Sequence, residues 1–180
     1  MHEWLVGGAV IESAVMGKVV GRAGPESTDP GLLLVQNVRR GGIIDWTPPG
    51  GVIDEGEEVV GGLTREVVEE TGLSVTAWSG PLYEITARAP GLGWNLRVEV
   101  YRALGVSGRM RTGHDPDGIV TEAAVVPVGE CEGRLCDAHP WVREPLVEWM
   151  AQRWDHPRSF EYLVEGTDHR SLEITRVDRG

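Results

Sequence analysis

Residues Gly51–Leu73 read GVIDEGEEVVGGLTREVVEETGL. The residues before this stretch, Thr47-Pro48-Pro49-Gly50, cannot form a helix interior, because two prolines remove backbone donors and glycine loosens the chain. Within it, Glu57–Thr71 is predicted to be a helix, and Gly72 follows where a helix C-terminus needs positive φ. Setting Glu66 at 0° and stepping about 100° per residue puts Glu69 at about 300° and Glu70 at about 40°. Three carboxylates therefore share an arc of roughly 100° on adjacent turns. Val60, Leu63 and Val67 fall beside that arc, so one edge of the helix can bury while the next stays acidic. Like charges three and four apart destabilise a helix by roughly 0.2–0.5 kcal/mol each. Arg65 can offset one of them. A hard divalent cation does so better, and Mg²⁺ takes carboxylates together with substrate phosphates. The alternative for a bare Glu-x-x-Glu-Glu is a solvated acidic face.

Outward from this helix the pattern is mixed. Trp4–Glu12 reads as a strand, Gly21–Gly31 as a loop and Leu32–Val35 as a buried strand. Arg39–Gly42 is a turn. Leu82–Ala87 and Leu96–Leu104 read as strands, the second with Leu96, Val98 and Val100 on one face. Ser107–Gly118 is a polar loop and Ala123–Val128 a short strand. Trp141–Trp154 reads as a helix with Val142, Leu146, Trp149 and Met150 on one face. Phe160–Val164 and Leu172–Val177 flank Gly166–Arg170 as a terminal hairpin. This is the pattern of an α+β chain, with a mixed sheet covered by helices.

The chain has 180 residues, 41% hydrophobic and 25% charged, the composition of an ordinary globular protein rather than a disordered one. One domain, 1–180, is the expectation at this length. Seventeen basic against 28 acidic residues give a net charge of −11, which disfavours binding to the backbone of a nucleic acid polymer. A small phosphorylated ligand is not excluded, since a divalent cation supplies the missing charge. Cys131 and Cys136 are too few for a disulfide framework and read as incidental thiols in a loop. Sixteen of the basic residues are Arg and one is Lys18. The apolar run Leu5–Ile11 has no basic residues before it, and no stretch approaches a membrane span. A soluble, cytoplasmic protein without membrane contact is expected.

Nine positions of the quoted stretch, Gly51, Glu57, Arg65, Glu66, Val67, Glu69, Glu70, Gly72 and Leu73, satisfy the Nudix box G-x5-E-x7-R-E-U-x-E-E-x-G-U, with U aliphatic. The protein thus resembles the Nudix hydrolase family. The resemblance implies the Nudix fold, an α/β/α sandwich around a mixed β-sheet, with the hairpin Phe160–Asp178 as an addition. It also implies hydrolysis of a diphosphate bond in a nucleoside diphosphate linked to another moiety, with Mg²⁺ or Mn²⁺. By this resemblance Glu69 and Glu70 are metal ligands, Glu66 is a ligand or activates water, and Glu57 is an outer ligand or support. The Gly50 carbonyl is a further ligand, and Arg65 holds a carboxylate by a charge-assisted pair.

Other assignments rest on position. The general base is sought among Glu122, Asp117, Asp115, Glu99 and Glu66 itself, with Glu122 ranked first because it ends the glycine-bearing loop. Gly61 and Gly62 lie mid-helix, at about 1 kcal/mol each against Ala; Gly62 is on the carboxylate edge and would allow close substrate approach. Trp46, Trp78 and Trp94 are weighed between packing and base stacking, with Trp94 beside Asn95 the best stacking candidate. The five histidines show no ligand spacing. A nucleoside triphosphate or an oxidised nucleotide is the leading substrate class, and ADP-ribose or a nucleotide sugar the alternative. A non-catalytic ligand-binding regulator is disfavoured by the intact box, and isoprenyl diphosphate isomerisation by the position of the cysteines. A homodimer is compatible with the sequence.

Overall fold

The computed structural model describes residues 1–17, 30–39, 41–168 and 171–177. The predicted loop Gly21–Gly31 falls mostly outside them, as do Lys18, His169 and the last part of the terminal turn. The elements are β1 (His2–Val10), α1 (Ser13–Met16), β2 (Gly31–Val38), β3 (Ile44–Thr47), β4 (Gly50–Val52), α2 (Val59–Thr71), β5 (Leu73–Ala89), β6 (Trp94–Gly108), β7 (Val120–Pro127), α3 (Val128–Arg134), α4 (Pro140–Gln152), β8 (Arg158–Glu165) and β9 (Glu173–Val177).

Two sheets form. A six-stranded sheet has the order β4-β1-β6-β5-β8-β9, and a three-stranded sheet has the order β3-β2-β7. In the larger sheet β1 runs parallel to β6 and β5 parallel to β8, while the other pairs are antiparallel. Strand β2 feeds two cores. Leu33 packs with Ala9, Ile11, Leu63, Val67 and Leu73 beneath α2. Leu32 and Leu34 join Tyr83, Ile85, Leu146, Trp149 and Phe160 beneath α3 and α4. Helix α4 is tied back to the end of β1, where Arg102 and Arg153 each approach the Glu12 carboxylate at 2.5 Å.

The box helix forms for the reasons its sequence offers. Leu63 and Val67 are fully buried, and Gly72 closes the helix at φ 73° with its N–H on the Val68 carbonyl. The helix starts at Val59 rather than Glu57, because Glu57 belongs to the turn before it and receives the Asp54 N–H. The terminal hairpin is β8–β9, and it extends the larger sheet by pairing β8 with β5.

Two differences from the sequence reading have local causes. Strand β5 runs through Gly80-Pro81 instead of starting after it, because the register with β6 shifts between Ser79 and Tyr83 and absorbs the break. Val128–Arg134 is a helix rather than a loop, anchored by the buried Cys131, whose thiol lies 3.4 Å from the Pro127 carbonyl. Both cysteines are free, with Cys136 exposed. No helix among the described residues is long and apolar enough to cross a membrane.

Gly61 and Gly62 should respond differently to alanine. A methyl at Gly61 meets only Glu58 Cβ, at 3.9 Å. At Gly62 it would lie 2.6 Å from Glu57 Oε2 and 2.8 Å from Ile53 Cδ1. Gly61→Ala should therefore stabilise the protein by up to about 1 kcal/mol. Gly62→Ala should gain less or lose, because Glu57 and Ile53 must shift. Chemical denaturation of both variants checks this; equal gains would show that the space at Gly62 is not constrained.

Candidate active site

The N-terminal half of the site is a crossing of backbones. Gly50 has φ 146°, and a Cβ there would sit 2.1 Å from the Gly7 carbonyl oxygen of β1. Only glycine fits that contact. A Cβ at Gly51 would fall 2.4 Å from Glu66 Oε2, so this second glycine lets the α2 carboxylate lie directly against β4.

Onto this floor α2 projects its acidic edge. Arg65 lies among the carboxylates as a fork. Its Nη1 donates to Glu66 Oε1 at 2.7 Å and to Glu69 Oε2 at 3.4 Å, and its Nη2 donates to Glu57 Oε2 at 3.0 Å. The hydrogen bond from Arg65 holds Glu57 below the usual carboxylate range, and Glu57 in turn raises the Arg65 guanidinium, which stays charged. Glu70 has a different environment. It is 7% exposed and accepts the Gly50 N–H at 2.8 Å. Burial pushes its carboxyl up to about 8, opposed by the Gly50 N–H and assisted by Glu66, Asp115 and Glu69. Burial also raises Glu66, against the pull of Arg65.

Gly50, Gly51, Arg65, Glu66, Glu69 and Glu70 line a cavity of about 670 Å³ together with Val6, Asn37, Arg39, Asp115, Asp117 and Val142. Among the described residues its wall holds six carboxyl groups (Asp54, Glu66, Glu69, Glu70, Asp115, Asp117) and two guanidinium groups (Arg39, Arg65). An anionic ligand would meet repulsion there unless cations accompany it. The donors are oxygens, the type that hard divalent cations prefer. Among the described residues no three His, Cys, Asp or Glu side chains converge tightly enough to hold a metal ion as they stand. The Arg65 guanidinium lies among Glu57, Glu66 and Glu69 and hydrogen-bonds all three.

The residues singled out from sequence divide. Gly50, Arg65, Glu66, Glu69 and Glu70 share the cavity, whereas Glu57 holds Arg65 and is not part of the cavity wall. Gly62 is buried under Glu57 and Ile53, so its missing side chain makes room for the protein's own groups rather than for a ligand. Trp94 packs edge-on against Trp141, ring centroids 6.3 Å apart, and lies outside the cavity. Trp78 donates to Thr64 Oγ1 at 3.0 Å, and Trp46 is a core residue; the tryptophans thus pack.

The acids weighed as general base also divide. Glu122 is exposed on β7 opposite Gln36 and does not reach the cavity. Glu99 is buried against Tyr101 and Arg97. Asp115 and Asp117 do line the cavity. Asp115 Oδ2 accepts the N–H groups of Ile119 and Val120, at 2.8 and 2.9 Å, and so shapes the loop. Asp117 is exposed and close enough to Glu66 to raise its pKa. Sequence reading missed the β2–β3 wall, where Asn37, Arg39 and Thr47 face the cavity; a polar residue ending an apolar strand carries no periodic signal.

A family model described as NUDIX domain matches residues 19–150, and the chain belongs to that family. The hairpin β8–β9 lies C-terminal to the match. The fold resembles the ORF135 protein of E. coli, with TM-score 0.63 and 18% identity over 85% of this chain and 92% of the other. It resembles a MutT NUDIX hydrolase from Burkholderia pseudomallei, with TM-score 0.54 and 22% identity over 72% and 86%. It also resembles the NUDIX domain of Shewanella oneidensis NrtR complexed with ADP ribose, with TM-score 0.63 and 17% identity over 85% and 89%. No curated protein sequence matches the chain.

The raised Glu70 carboxyl has a measurable consequence. Between its unfolded value of 4.5 and about 8 the folded state holds a proton that the unfolded chain releases. Stability from this group is therefore full below about 4.5 and is lost as pH rises toward 8. With chelator present, the wild type should lose stability across this window relative to Glu70→Gln, as read from denaturation midpoints. Parallel pH profiles for the two proteins would refute the burial of a protonated Glu70.

Proposed function

We propose that this chain hydrolyses a diphosphate bond in a nucleoside diphosphate linked to a further moiety, with a nucleoside triphosphate or an oxidised nucleotide as substrate and Mg²⁺ as cofactor. The observation that carries this reading is the cavity in which Glu66, Glu69 and Glu70 of the family's box meet the loop acids Asp115 and Asp117. The ADP ribose held by one similar fold and the MutT name of another support a nucleotide-derived ligand as the class to test.

The donor set suits the implied cation. Glu66, Glu69, Glu70 and the Gly50 carbonyl would hold it. When bound, it neutralises phosphate charge and lowers the pKa of a coordinated water. A cation bound at Glu70 would release the carboxyl proton to solvent and pair the carboxylate charge that burial otherwise disfavours. The protein's own residues then have separate tasks. Arg65 orients Glu66 and Glu69. Asp115 fixes the loop by its backbone bonds. Asp117, whose carboxylate receives no side-chain hydrogen bond from the described residues, presents a base outside the box and replaces Glu122 in that role. A base must come within hydrogen-bond reach of the water, directly or through one bridge, and Glu122 lies outside the cavity where that water would be.

Turnover on a panel of nucleoside triphosphates, oxidised nucleotides, ADP-ribose and nucleotide sugars should vanish in chelator and return with Mg²⁺ or Mn²⁺. Glu69→Gln and Glu70→Gln should each remove most of it while the protein stays folded. Undiminished turnover in chelator would overturn the metal-dependent reading, and turnover confined to ADP-ribose or nucleotide sugars would overturn the substrate class.

The two loop acids give a sharper test. Asp117→Asn should lower kcat by roughly 10²–10⁴-fold and flatten the acidic limb of the pH–rate profile. Glu122→Gln should leave both near wild type. The reverse pattern would return the base to β7.

A further inference from the structure

On the β2–β3 wall of the cavity a polar relay is buried where strand pairing alone would accept apolar residues. Asn37 and Asp45 are paired in register across β2 and β3, and each is 4% exposed. Arg39 grips Asp45 through two hydrogen bonds, Nε to Oδ2 at 2.5 Å and Nη2 to Oδ1 at 3.2 Å. The Asn37 amide donates both its hydrogens inward, to Asp45 Oδ1 at 2.8 Å and to Thr47 Oγ1 at 3.0 Å.

This arrangement fixes which way the amide points. A carboxylate clamped by arginine offers only lone pairs, so the side of Asn37 that faces it must be the NH₂. Flipping the amide would set two acceptors against each other and leave a buried Asp45 oxygen short of a donor. Asn37 Oδ1 is therefore held as the outward atom. No described residue donates to it, and it is not among the sealed, unpartnered polar atoms of the interior, of which Trp149 Nε1 is the described case. Asn37 lines the cavity, and the remaining capacity of its oxygen is open to whatever enters.

We propose that Asn37 Oδ1, locked by Asp45 and Arg39, is a specificity subsite that selects for an uncharged hydrogen-bond donor on the non-phosphate moiety of the substrate. It rests on the hydrolase reading above and deepens it. Ionised phosphate oxygens are acceptors and find no partner at this atom. An amino or imino N–H of a base, or a sugar hydroxyl, does. Val6, Val52, Pro48, Ile119 and Val142 line the same cavity and supply apolar surface suited to a ring that carries the donor. Asp45 acts as a positioning residue, since it touches the cavity only through its hold on Asn37 and Arg39.

The test compares substrates that differ by one donor. The pairs are ATP with purine riboside triphosphate, GTP with ITP, and each ribonucleotide with its 2′-deoxy form. The wild type should favour the donor-bearing member of at least one pair by roughly 10- to 100-fold in kcat/KM; which pair responds separates a base N–H from a sugar hydroxyl. Asn37→Ala should erase that preference. Asp45→Asn keeps the size of the wall and still accepts from Asn37, yet it lets the amide flip, so it should shrink the preference in a protein that remains folded. A purely structural role would lower both members of a pair equally and leave their ratio intact. A preference below about 3-fold in every pair, or a ratio unchanged in both variants, would overturn the proposal. Affinities of the same nucleotides, measured by calorimetry, keep the two readings apart. Absence of hydrolysis with the pairwise affinity preference intact would sink the hydrolase reading alone; no preference in affinity would sink the subsite.

Discussion

Arg65 hydrogen-bonds Glu57, Glu66 and Glu69 from one guanidinium. Without it, the acidic edge of α2 would bring like charges together on adjacent turns beside a backbone that approaches too closely for water to screen them fully. The arginine solves this with its planar fork, which lysine could not reproduce. It serves three carboxylates but leaves Glu70 to the Gly50 N–H, and that division sets the character of the site. Arg65 lowers the Glu57 carboxyl and opposes the rise that burial imposes on Glu66. The unpaired one is pushed toward its neutral form. A cation entering this cluster takes over part of the work that Arg65 does in the structure as it stands, so the guanidinium and the metal are alternative solutions to one electrostatic problem.

The box helix and its carboxylate edge were legible because the pattern that encodes them is local. Helical spacing puts Glu66, Glu69 and Glu70 on one arc, and Leu63 and Val67 beside it, with no knowledge of the rest of the chain. The glycines were legible as exceptions but not as contacts. Gly62 looked like an opening toward a ligand, whereas its space is filled by Glu57 and Ile53 from the turn that precedes the helix. Trp94 and Glu122 lie outside the cavity for a related reason. Their positions in the chain suggested a site, but Trp94 is half-buried against Trp141 and Glu122 is exposed on β7 opposite Gln36.

The ligand-facing wall was the least legible part. It comes from β2, β3, the loop of residues 109–119 and the first turn of α4, and these meet only because of long-range pairing. Asn37 is the clearest instance. In the sequence it ends an apolar run, and nothing in its neighbours announces a relay through Asp45 eight residues later. Such a wall can change its chemistry through a few side chains while the box remains constant, which accounts physically for one catalytic helix serving different substrates.

The parallel pairing of β1 with β6 begins with His2 opposite Trp94. The first strand of the larger sheet thus waits for a partner on the order of 90 residues downstream. At a synthesis rate of roughly 5–20 residues per second, that is a delay of about 5–20 s during which β1 has no parallel neighbour. Only the short β4 is available to it earlier, and that pairing consists of three registered positions. The glycine crossing under Glu66 and Glu70 joins β1 to β4, so its residues are all present before β6 closes the other edge of β1. Such a non-local topology folds slowly, and the partly folded chain leaves the β6-facing edge of β1 open for seconds, exposed to association with other chains.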